Sequence, residues 1–181
     1  MIKKLGILAC GCLVLTSLSF GQSWAASPSV RSAQNLPSET PDQWVELGKR
    51  VHGGFGSYIA IGIRIGLDAM QQLNANPRDL DVTYYNGKIA PCPCVVDGIM
   101  IATVASPGQN SLRVAATFSP EGTFGVAEIR HRKTGKALRC VILATTKAQL
   151  DTWNQNTTGR QRYDAVMQAP KSSLFSVAVI R

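Results

Sequence analysis

Three short stretches carry the residue types that can do chemistry. The first is His52, one of only two histidines, followed at once by Gly53, Gly54 and Gly56. An imidazole titrates near neutrality and ligates metals, and at a helix end it also serves as a cap or buried hydrogen bonder. Glycines expose backbone N–H groups that can hold an anion at the start of the next helix. They do not form a dinucleotide fingerprint, because no strand precedes them. The second stretch is Pro91-Cys92-Pro93-Cys94. Cys-x-Cys is tighter than the two to four residues that separate cysteines in a zinc knuckle. Pro93 stiffens the pair and makes a direct disulfide strained. Three readings stay open: a two-thiolate metal ligand set, a redox thiol, or a small buried residue beside a spare thiol. The third is Asp97, placed to cap the apolar run that follows. No Ser/His/Asp arrangement, paired-carboxylate motif or phosphate loop accompanies them, so the chain points to binding rather than to a reaction.

The elements that must position these residues follow from periodicity. Thr40-Pro41-Asp42-Gln43 has the form of a capping box with Pro at the first helical position, and the helix it starts runs to His52. Ser57 to Leu73 alternates Ile59, Ile61, Ile63 and Ile65 as a strand would. Its length and its LDAMQQL continuation predict a helix instead. Gly62 and Gly66 give that helix a small-residue strip. Leu80–Tyr85 reads as a strand closed by Asn86-Gly87, and Ile99–Val104 as a helix. Strands are predicted over Leu112–Phe118, Phe124–Arg132 and Ala137–Ala144, with Thr134-Gly135 as a turn. Helices follow over Lys147–Trp153 and Arg160–Gln168, then a closing strand over Leu174–Ile180. The order predicts one α+β domain, residues 41–181, with a largely antiparallel sheet packed by helices.

The first residues describe an export signal. Lys3 and Lys4 precede an apolar run from Leu5 to Phe20, and Ser23 and Ala25 place the cut after Ala25. Residues 1–25 are thus expected to be removed and 26–40 to form a flexible Ser/Pro/Asn-rich leader. The product is expected to be periplasmic or secreted, with no membrane span. Of 19 Lys and Arg, two leave with the signal, against 11 Asp and Glu. The surplus is scattered apart from Arg130-His131-Arg132-Lys133, which reads as a solvated hairpin tip, so no nucleic-acid partner is expected. Five cysteines fall to three, Cys92, Cys94 and Cys140, too few for a disulfide scaffold.

Taken together, His52-Gly53-x-x-Gly56, the helix after it and Cys94-Val95-Val96-Asp97-Gly98-Ile99 resemble the FmdE family, named for formylmethanofuran dehydrogenase. Lys133-Thr134-Gly135-Lys136-Ala137-Leu138-Arg139 is similar to that family's hairpin, and the resemblance runs from about Val45 to Ile142. It implies an intertwined α+β homodimer, for which the Gly62/Gly66 strip offers a contact. It also implies a metal- or redox-capable His/Cys cluster. The chain departs from the family pattern with Gly54 at a His position, Ala105 at a Cys position, and Ser57, Met100 and Gln109 at others. The family's C-terminal zinc finger is missing. What remains of the cluster is His52 and Cys94, with Cys92 as a substitute ligand for a transition metal such as zinc. The expected pocket has His52, Gly53, Gly54 and Gly56 on one wall and Cys94–Asp97 on the other. The resemblance therefore implies an exported binding module for a metal or small ligand. A redox or accessory subunit in one-carbon or molybdenum/tungsten-enzyme metabolism, and a structural subunit without an active site, are the alternatives.

Overall fold

Helix α1 (Pro41–His52) starts where its cap predicts. Gln43 N–H donates to Thr40 Oγ1 at 3.3 Å, and the Gln43 side chain accepts from Thr40 N–H at 2.7 Å. It ends because Gly53 adopts φ 84°, a left-handed conformation that only glycine takes without strain. The structure is a computed structural model that describes residues 36–181. The expected signal, 1–25, and most of the leader lie outside the described residues.

Helix α2 (Ser57–Leu73) carries apolar side chains nearly all round, and Ala60, Ile61, Ile63, Ile65, Ala69 and Met70 are fully buried. Such a helix belongs inside a domain. Its alternating isoleucines do not make it a strand, since both sides find apolar partners. A five-stranded sheet gives one of them, in the order β2-β1-β3-β4-β5. The strands are β1 (Leu80–Asn86), β2 (Leu112–Val114), β3 (Thr123–His131), β4 (Ala137–Leu143) and β5 (Phe175–Ile180). Register puts Leu80, Val82 and Tyr84 on one face with Ala127, Ile129, Leu138, Cys140 and Ile142. That face is core. The opposite face carries Asp81, Thr83, Glu128, Arg130 and Arg139, among which Arg139 pairs with Glu128 at 3.7 Å.

Helix α3 (Cys94–Thr103) packs along α2 on the Gly62/Gly66 strip. A Cβ on Gly66 would lie 2.8 Å from Ala102 Cβ, and one on Gly62 would collide with Val95 O. The strip is therefore filled by α3 of the same chain and is not an open face for a second one. Helices α4 (Thr146–Asn156) and α5 (Gly159–Gln168) close on the N-terminal half of α2, followed by a short α6 (Lys171–Leu174). Among the described residues no helix is long and apolar enough to cross a membrane.

The architecture is the expected α+β domain with a largely antiparallel sheet, with three local corrections. The strand expected over Leu112–Phe118 stops at Val114 and runs parallel to β1, as Val82 lies opposite Leu112. The closing strand begins at Phe175, one residue late, because Lys171–Leu174 form α6. Helix α3 begins at Cys94, five residues ahead of expectation. Val95 and Val96 extend the apolar run that Ile99 continues, and Pro93, whose φ is fixed, stands naturally at a helix start.

Candidate metal centre

The early start of α3 changes what Asp97 does. It does not cap the helix, whose N-cap position is Pro93, with no side-chain cap bond. Asp97 instead sits in the first turn and turns its carboxylate to His52, the last residue of α1. His52 Nδ1 and Asp97 Oδ2 are 2.7 Å apart. With the imidazole neutral, the proton in that bond rests on Nδ1, because a carboxylate only accepts. The lone pair is then on Nε2. This is how metal-ligating histidines are held, by a carboxylate on the other ring nitrogen that fixes tautomer and orientation.

Two packing features hold these side chains in place. Gly98 lets α3 lie against α2 at backbone distance: a Cβ there would be 2.7 Å from Ile63 N and 2.8 Å from Gly62 Cα. The end of α1 is set by Gly53, and the segment after it is anchored by Arg162 on α5. The Arg162 guanidinium donates to Phe55 O at 2.5 Å, to Asn154 O at 2.9 Å, to Trp153 O at 3.3 Å and to Thr157 O. Asn154 Oδ1 accepts from Ser57 N–H at 2.8 Å and so caps α2. Arg162 and Asn154 are positioning residues with no signature in the sequence. On a predicted helix face Arg162 is indistinguishable from a solvated charge.

The three expected ligands do meet. His52, Cys92 and Cys94 each offer a donor atom, and these atoms lie within 4.8 Å of one another. Cys94 is the first residue of α3 and is buried, and Cys92 is half-buried in the loop before it. The two cysteines are joined as a disulfide with Cα atoms 5.3 Å apart, inside the ordinary span for such bonds. The pair that Pro93 separates is thus bonded in this structure. The disulfide form cannot ligate as thiolates do, whereas the dithiol form can. A tetrahedral ion with bonds of about 2.0–2.3 Å needs its donors roughly 3.3–3.8 Å apart. The three donors lie within 4.8 Å of one another, close to that spacing. One imidazole and two thiolates suit a borderline-soft ion such as zinc and leave its fourth position to another ligand. The residues fit a metal.

The glycines of the expected pocket are placed differently from the ligands. Gly53 and Gly54 adjoin His52, but a Cβ on either meets nothing within 4 Å. They face open space, and Gly53 serves the backbone turn. Gly56 is the N-cap residue of α2, whose N-terminus is taken by Asn154. Cavities of 510 and 550 Å³ lie beside α1 and beside the β4–β5 edge, and neither is lined by His52, Cys92, Cys94 or Asp97.

The second histidine is elsewhere. His131 is buried at the end of β3, and its Nδ1 accepts from Lys133 N–H at 3.2 Å, so it shapes the hairpin. Arg130, Arg132 and Lys133 around it are exposed, as expected of that tip. Cys140 is a buried free thiol on β4, where burial, with the Asp68 carboxylate adding to it, pushes its pKa up to about 12.

In this α+β domain the end of α1, the loop before α3 and the first residue of α3 bring together an imidazole and two sulfurs that could hold a metal ion. The chain belongs to the family described as "FmdE, Molybdenum formylmethanofuran dehydrogenase operon", whose model matches residues 51–176. The match takes in all four residues of the centre and extends past the hairpin into β5. No curated protein matches the chain.

Proposed function

We propose that this chain is an accessory metal-binding module, with His52, Cys92 and Cys94 as ligands and Asp97 orienting His52. The observation that carries the reading is the convergence of those three donors with a carboxylate on the imidazole Nδ1. Membership of the FmdE family supports an accessory role beside a formylmethanofuran dehydrogenase-type system. Zinc is the ion the donor set favours. A small molecule bound at the open fourth position is the form in which the expected ligand pocket survives. The basic and apolar start of the sequence supports export with loss of residues 1–25, and the family resemblance supports a homodimer.

The test is metal content of the full chain, reduced anaerobically and titrated with zinc. One equivalent per chain is expected, and Cys94→Ala abolishes it while its circular dichroism stays that of the parent. A reduced, folded chain that binds no metal sinks the reading. Size-exclusion chromatography with light scattering and the mass of the exported product check the dimer and the cleavage.

A further inference from the structure

The two sulfurs proposed as ligands are also the two sulfurs of the disulfide. They cannot serve in both capacities at once. We propose that Cys92–Cys94 is a thiol–disulfide exchange centre whose oxidation state decides whether the site can hold a metal. The inference rests on the metal-binding reading for its consequence and on the disulfide itself for its chemistry.

Accessibility sets the direction of exchange. Cys92 is half-buried and lies between two exposed prolines, Pro91 and Pro93, while Cys94 is 7% exposed. A small-molecule thiolate therefore reaches Cys92 Sγ first. Its attack forms the bond between the incoming sulfur and Cys92 Sγ and breaks the Cys92–Cys94 bond. The electron pair leaves on Cys94 Sγ, at the first residue of α3, where the helix N-terminus favours negative charge. A second thiolate then attacks the small-molecule sulfur of that mixed disulfide and expels Cys92 as a thiolate. Two small thiols have become one small disulfide, and two electrons have passed to the protein pair. The two protons released by the small thiols go to solvent if the protein sulfurs stay as thiolates, or to those sulfurs if they become thiols.

Cys140 cannot take part. It is fully buried on β4 within the core, so among the described residues the exchange is confined to one pair. His52 loses no bond in the change and keeps Asp97 as partner, so one ligand stays positioned in both states.

The experiment equilibrates the full chain in buffers of graded reduced to oxidised dithiothreitol ratio. It follows the peptide containing Cys92 and Cys94 by alkylation and mass spectrometry, with zinc binding measured on the same samples. Both thiols should appear together, as a two-electron transition, and bound zinc should track the dithiol fraction. Zinc affinity of the disulfide form should be lower by more than about 100-fold, beyond the roughly 10–100-fold that loss of an outer partner costs. Treated with oxidised glutathione, Cys94→Ser should form one mixed disulfide at Cys92, releasing one reduced glutathione, and none at Cys140. A disulfide form that holds zinc as tightly as the dithiol overturns the coupling, and a pair that never re-forms its bond overturns the exchange. A pair that cycles while the dithiol binds no zinc overturns the coupling by way of the metal reading, and so identifies which of the two has failed.

Discussion

Substituting Gly98 by alanine tests how the centre is held. A methyl group there would lie 2.7 Å from Ile63 N and 2.8 Å from Gly62 Cα, and closer still to Ile59 O. All three neighbours are backbone atoms of α2, so no side chain can swing aside. The helices must part by roughly 0.5–1 Å, a gap that forfeits a quarter to a half of the dispersion attraction between facing atoms. Ile59, Ile63, Val95 and Ile99 line that seam and are almost wholly buried. Overpacking of a rigid interior costs about 1–3 kcal/mol, and a backbone-to-backbone collision belongs at the upper end. At about 2–4 °C per kcal/mol for a domain of this size, Gly98→Ala should melt roughly 6–12 °C below the parent. Thermal circular dichroism at 222 nm reads this directly. Gly54→Ala is the control, since its added methyl meets nothing, and it should stay within about 0.5 kcal/mol. A Gly98→Ala chain that melts with the parent refutes the close packing of α3 on α2, and with it the placement of Cys94 and Asp97.

Asp97→Asn keeps the size of the side chain but removes the charge that fixes His52. Zinc affinity in the reduced chain should fall about 10–100-fold by chelator competition, with stoichiometry unchanged. Arg162→Ala removes the guanidinium donor from the carbonyls of Phe55, Asn154 and Thr157, while Trp153 O keeps its bonds from Thr157, and should cost about 2–4 kcal/mol in urea unfolding. Arg162→Lys should recover little of it, because an ammonium cannot reproduce the fork. Asp151 is pushed up by burial but drawn further down by hydrogen bonds from Lys147 and Tyr58, so its pKa is net lowered. A depressed carboxylate stabilises the fold above its unfolded value near 4 and loses that contribution as pH falls through the folded one. Asp151→Asn should therefore flatten the acid limb of the stability-against-pH curve below about pH 4, as guanidinium melts at stepped pH would show.

The framework of this domain was readable because local signals and tertiary packing agree. Thr40 and Gln43 form the capping box their spacing predicts, and the β3–β4 register follows the turn at Gly135. Helix α2 was readable in spite of its strand-like alternation, because its length and helix-forming tail outweigh the pattern of four isoleucines. The start of α3 was obscured because Asp97 has the residue type of a cap. The earlier start at Cys94 follows from Pro93 and the apolar Val95 and Val96, and from close packing on α2 through Gly62 and Gly98. The cluster of His52 with Cys92 and Cys94 came from family resemblance, since positions 40 residues apart carry no local sign of meeting. The partnership of Asp97 with His52 and the clamp formed by Arg162 are long-range contacts. Their residue types fit surface roles equally well, and no periodicity separates the two.

Whether one imidazole and two thiolates of this chain hold a metal can be read from the metal itself. X-ray absorption at the zinc edge of the reduced, zinc-loaded full chain reports the ligand atoms and their distances. Two sulfur scatterers at about 2.3 Å and at least one nitrogen at about 2.0 Å are expected. A shell of oxygen and nitrogen alone would contradict the assignment of Cys92 and Cys94 as ligands.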